Sequence, residues 1–127
     1  MDEFQAQMFY IFAFEPQGFL NQLEQMLMQI ETVETSITAN VDEIFRIMHT
    51  MKSSAAMIGF NEMSILSHRM EDLFQYIRSN GNIQIEEGRL VQQLLDCIDY
   101  FKNILENQAE KPGSSKHLVD EVDHYLG

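Results

Sequence analysis

The sequence predicts an all-α protein: an antiparallel up-down four-helix bundle with a short additional C-terminal helix. Three observations predict it. Apolar residues recur at steps of three and four along most of the chain, which is the period of a helix with one buried face. Only 6 of the 127 residues are glycine and only 2 are proline, and 45% are hydrophobic, an ordinary share for a folded domain. The breaks between periodic stretches are short, so successive helices must return antiparallel.

Residues 1 to 15 carry Phe4, Met8, Phe9, Ile11, Phe12 and Phe14, a crowded helical pattern. Pro16 follows and has no amide hydrogen to donate, so the first helix is expected to kink or break there. From Phe19 the stripe is cleaner: Phe19, Leu20, Leu23, Met26, Leu27 and Ile30. Thr32, Val33 and Thr35 lower helix propensity and place its end near residues 31 to 34. Residues 35 to 40 read as a loop. Asn40 is a candidate N-cap, with Glu43 three residues on to complete a capping box. The central helix is expected from about Val41 to Ile58, with Gly59 ending it. Asn61 is the next N-cap candidate. The helix after it carries Met63, Leu66, Met70, Leu73, Phe74 and Ile77 on one face and stops at Ser79-Asn80-Gly81-Asn82, where Asn80 or Gly81 can take positive φ. A fourth helix, about Glu86 to Asn107, buries Val91, Leu94, Leu95, Ile98, Phe101 and Leu105, with Gly88 weakening its first turn. The expected organisation is a bundle over residues 1–107, a linker over 108–115, and a last segment, 116–127. That segment is either a helix packed on the bundle or the start of a tether.

The central helix carries the chemistry. Val41, Ile44, Phe45, Met48, Met51, Ala55 and Ile58 form its buried stripe. At about 100° per residue, His49, Lys52 and Ala56 fall along one edge of that stripe, and His49 and Lys52 are surface neighbours at i and i+3. Ser53, Ala56 and Gly59 are small, which leaves the backbone around the imidazole open to another protein.

His49-x-x-Lys52 followed by Gly59 resembles the signature of histidine phosphotransfer (HPt) domains. The nearest resemblance is to the N-terminal phosphotransfer domain of the chemotaxis histidine kinases (CheA). Glu43-Ile44-Phe45-Arg46, Gly59-Phe60 and Ser67-His68-Arg69-Met70-Glu71 agree in order and spacing, so the resemblance covers roughly residues 4 to 107. One departure is Ser53, where the family usually has glycine; its hydroxyl is placed to alter the hydrogen bonding of a phosphorylated state. The resemblance implies that His49 is the phosphoacceptor. It also implies that Glu71 accepts a hydrogen bond from Nδ1 of His49, leaving Nε2 to attack, with His68 completing the polar network. Imidazole suits a carrier: it is nucleophilic when neutral, and its bond to phosphorus is readily broken again. Lys52, one turn on, is expected to reach the phosphoryl oxygens. Met48 and Ala56 are expected to contribute to docking.

Composition and missing motifs bound the rest. Net charge is −12, which argues against nucleic acid or an anionic membrane as the main partner. No apolar run approaches the ~20 residues of a membrane span, and Met-Asp-Glu is not the start of a signal peptide, so a cytoplasmic location is expected. The single cysteine, Cys97, excludes an intramolecular disulfide and reads as a buried thiol. No Gly-x-x-x-x-Gly-Lys-[Ser/Thr] loop is present, and a bundle of this size leaves no room for an ATP domain. No kinase activity is therefore expected from this chain alone, and no cofactor or metal. ATP and magnesium are expected on a partner histidine kinase catalytic domain, with a response-regulator receiver domain taking the phosphoryl group. Both a free-standing carrier and the phosphoacceptor domain of a sensor histidine kinase fit. The rival reading is a non-catalytic helical interaction module docking through Met- and Phe-rich faces. His117, Asp120 and His124, at i, i+3 and i+7, have metal-ligand spacing but no fourth partner, and read as a solvated face.

Overall fold

The computed structural model describes residues 2–80 and 86–126. It contains α1 (Glu3–Glu31), a 3-10 turn (Thr38–Asn40), α2 (Val41–Met57), α3 (Asn61–Ser79), α4 (Glu87–Asn107) and α5 (Lys116–Leu126). The first four helices form the expected bundle, and α5 packs on it rather than leaving as a tether. Leu20, Leu23 and Leu27 of α1, Ile44, Met48 and Met51 of α2, Met63, Leu66, Met70 and Phe74 of α3, and Leu94 and Phe101 of α4 join one core. Leu118 and Val122 of α5 close it over α3 and α4. No helix among the described residues is long and apolar enough to cross a membrane.

Several expectations about the helix ends need correction. α1 is not interrupted at Pro16: it runs unbroken through it, capped at its start by Asp2 and Gln5 in a capping box. Proline costs the helix one amide donor, and burial of the Pro16 ring offsets that loss. Before it, Phe4, Tyr10 and Ile11 stay exposed. The side chains of Phe9, Phe12 and Phe14, and residue Gly81 of the proposed stop, lie outside the described residues; Asn80 has φ −122, not a positive value. Asn40 makes no side-chain cap to α2. Its amide donates backwards instead, to Thr35 Oγ1 at 2.9 Å and to the Ser36 carbonyl at 2.7 Å, and Glu43 turns to Gln22 and Arg46. The 3-10 turn already aims the chain into α2, so the capping box has nothing to supply. Asn61 is not the cap of α3 either. The carboxylate of Glu110, from the segment expected to be a linker, accepts from the Glu62 amide at 2.9 Å and the Met63 amide at 3.1 Å. Ser115 binds Glu62 in return, so residues 108–115 are stitched to the bundle.

The α2–α3 turn positions the site. The Phe60 amide donates to the Ala55 carbonyl at 2.9 Å and the Gly59 amide to Ala56 at 3.2 Å, with Gly59 at φ +78. That is a Schellman turn, whose left-handed position favours glycine. It reverses the chain within three residues and lays α3 antiparallel along α2 in the largest helix–helix contact of the fold.

Candidate functional site

Antiparallel packing sets the register of the two helices. His49 projects from the middle of α2 with its side chain 60% exposed, and Glu71 comes from α3 with its side chain only 12% exposed. Nδ1 of His49 lies 2.6 Å from Oε2 of Glu71, and Nζ of Lys52 donates to Oε1 at 3.0 Å. One carboxylate therefore spans both residues of the His-x-x-Lys pair. Burial pushes the Glu71 carboxyl up, but hydrogen bonds from Lys52 and His49 and the charge of Lys52 outweigh it and hold it below its ordinary value. At neutral pH it is then a carboxylate with no proton to give. Nδ1 must supply the hydrogen of the contact, and a neutral ring keeps its lone pair on Nε2. Nε2 has no partner among the described residues.

Lys52 is thus engaged by Glu71 through one of the three hydrogens of its ammonium group. His68 does not join the network as expected. Its ring is 57% exposed and faces Asp72, one turn on, with Nε2 3.8 Å from Oδ1. At i+4 Asp72 shares its edge of α3, while Glu71 is turned toward α2. His68, Glu71 and Asp72 do place one ligand atom each within 4.8 Å of one another. Lys52 already neutralises Glu71 and Arg69 binds Asp72 at 2.8 Å, so the group reads as an ion-pair network. His117, Asp120 and His124 form no such group; all three are exposed, and Asp120 pairs with Lys116 at 2.7 Å.

The small residues divide. Ser53 is exposed one turn from the ring, and its hydroxyl bends back onto the His49 carbonyl at 3.4 Å. Ala56 is exposed, as expected of an access residue. Gly59 is ten residues from His49, about 15 Å along the helix. It serves the turn and not access to the imidazole, and a Cβ there would meet nothing within 4 Å. Met48 is fully buried and is no docking residue; Met57 is the exposed methionine of α2. Cys97 is buried as expected, and burial pushes its thiol up to about 12.

The site also has a feature that helical periodicity alone does not disclose. A shallow depression of about 350 Å³ lies beside the imidazole, lined by Asp42, Glu43, Phe45, Arg46, His49 and Arg78. The Phe45 ring is stacked with that of His49 at 22° and 6.4 Å between centroids, and the Arg78 guanidinium sits 4.1 Å from the Phe45 centroid. The signal was in the register. If Glu71 faces His49, then Arg78, two turns on, faces Asp42, two turns back.

The model of the Hpt domain family matches residues 17–110. The chain is similar to the chemotaxis protein CheA of Treponema pallidum, 39% identical over 95 residues, covering 75% of this chain and 11% of that protein. The chemotaxis protein CheA of Borreliella burgdorferi is 36% identical over the same shares. The sensor histidine kinase CheAY of Helicobacter pylori is 34% identical over 107 residues, 83% of this chain and 13% of that protein. The chain spans about a tenth of the length of these relatives. No solved structure matches it significantly.

Proposed function

The chain belongs to the Hpt domain family, and on that premise we propose that it is a phosphoryl carrier of a chemotaxis-type two-component system, with His49 as phosphoacceptor. The observation that carries the reading is the Nδ1–Glu71 contact at 2.6 Å on a ring whose Nε2 is open. In the forward step the Nε2 lone pair attacks the γ-phosphorus of ATP held with magnesium by a histidine kinase domain. The bond to the β–γ bridging oxygen breaks, and ADP leaves with that electron pair. The ring becomes cationic and keeps its Nδ1 hydrogen, which Glu71 stabilises as a charge-assisted bond. In the second step a carboxylate oxygen of a response-regulator receiver attacks the phosphorus. The N–P bond breaks, its pair returns to Nε2, and the neutral tautomer is restored.

Charge distribution supports the same face. ATP and acidic receivers are repelled by a chain of net charge −12. Yet α2 and α3 hold four of its 8 Lys and Arg residues (Arg46, Lys52, Arg69 and Arg78) and only five of its 20 acidic ones. Four basic against five acidic residues leave these two helices a net charge of −1, so they repel such partners less than the other helices do.

The test is labelling with radioactive Mg-ATP and the Helicobacter pylori sensor histidine kinase, resolving this 14.8 kDa chain by size. The expected adduct is acid-labile, alkali-stable and absent from His49→Gln. Label that persists in that variant overturns the assignment.

A further inference from the structure

We propose, resting on His49 as phosphoacceptor, that Arg78 is the cation that meets the phosphoryl group on Nε2. The family signature draws the eye to Lys52, but Lys52 is held by Glu71 at 3.0 Å, on the Nδ1 side of the ring. The phosphoryl group forms on the other nitrogen. Helical side chains tilt toward the N-terminus of their helix, so the imidazole leans toward the turn that carries Phe45 and Arg46. The stacking of its ring with Phe45 agrees with that lean.

Two guanidinium groups border the depression there. Arg46 lies on the outer rim, its side chain 72% exposed and paired with Glu43 in the next turn back. Arg78 is placed differently. It lies over the Phe45 ring, and Gln75 accepts a hydrogen bond from it at 2.7 Å. Its ion pair with Asp42 is loose, 3.7 Å to a carboxylate whose side chain is 80% exposed. Such a pair is weak and screened, so the guanidinium is readily surrendered to a stronger anion. His49 and Arg78 thus rest on the same aromatic ring, from opposite helices, with an arginine's flexible reach between them. A dianionic phosphoryl group offers three strong acceptor oxygens to that planar fork of donors. Arg78 then touches the transferred group itself, while Glu71 and Lys52 govern the ring.

The contact has a readout that packing alone does not move. A cation beside the phosphoryl oxygens favours the dianion and lowers the pH at which the group gives up its last proton. The full chain is phosphorylated with potassium phosphoramidate and followed by phosphorus NMR over a pH series. The His49 resonance is the one that vanishes in His49→Gln. In Arg78→Gln the titration of that resonance should move up by about 0.3 to 0.7 of a pH unit, in Arg78→Lys by less, and in Lys52→Gln by less than in Arg78→Gln. On the unaltered protein, the Arg78 Nε–H resonance should shift on phosphorylation, which keeps the test open if a variant folds poorly. An unchanged titration in folded Arg78→Gln, or an unmoved Arg78 resonance, overturns the assignment while leaving His49 as acceptor. Failure to find any resonance that depends on His49 overturns the acceptor itself.

Discussion

Glu71→Gln isolates what the shared carboxylate does. The substitution is isosteric, and the amide oxygen can still accept from Nδ1 of His49, so the tautomer survives. What is lost is the negative charge facing a ring that becomes cationic as the N–P bond forms. Opposite unit charges ~4 Å apart attract by about 1 kcal/mol in water and about 4 kcal/mol at an effective dielectric near 20. Glu71 is largely buried, but the ring it faces is 60% exposed, which places the effect toward the lower figure, about 1.4 kcal/mol. That corresponds to roughly tenfold in rate. The assay is the single-turnover rate of His49 phosphorylation by a kinase domain, quenched in alkali, with circular dichroism to confirm the fold. A rate within twofold of the unaltered protein in a folded variant would refute the account. Acid titration supplies a second check. The folded carboxyl sits below its ordinary value of 4.5, so on acidification the unfolded chain takes up this proton first. The stability it contributes is present above about pH 4.5 and lost as pH falls through the folded value. The stability gap between the unaltered protein and Glu71→Gln should therefore narrow below pH 4.5.

Val33 occupies the left-handed position of a second Schellman turn, at the end of α1, with φ +62 and its side chain exposed. A β-branched residue is strained there, so Val33→Gly should raise stability by about 0.5 to 1 kcal/mol in urea unfolding. Gly59→Ala is the mirror case and should cost about 1 to 2 kcal/mol with phosphorylation of His49 unchanged, since the space is open and only the backbone objects. Glu110→Ala should cost about 1 kcal/mol by uncapping α3, measured the same way, and hydrogen exchange should rise first at Glu62 and Met63. Cys97 should resist an aromatic disulfide reagent at pH 8 until the protein unfolds. With its thiol pushed from 9.0 to about 12, the folded state holds the proton longer, so stability should fall as pH rises through that interval.

The sequence made legible whatever depends on residues close together along a helix. The stripes of the bundle helices, the stop at Gly59 and the edge shared by His49 and Lys52 are matters of a 3.6-residue period, and Glu71 came with the family motif. Contacts between elements distant in the chain were hidden. Nothing near Asn61 says that α3 is capped by Glu110, 49 positions away, because a carboxylate can serve a helix start from any loop that reaches it. Asn40 has the residue type of a cap, but type does not decide between competing local hydrogen bonds, and two backward ones won. His68 and Lys52 show the same limit at the site. His68 lies beside Asp72, one turn on along its own helix, and Lys52 takes the carboxylate of Glu71 across the helix pair. Opposite charges claim one another before any substrate arrives. A cation free to receive a phosphoryl group is therefore to be sought where its own ion pair is poorest, and among the basic residues beside His49 that is Arg78.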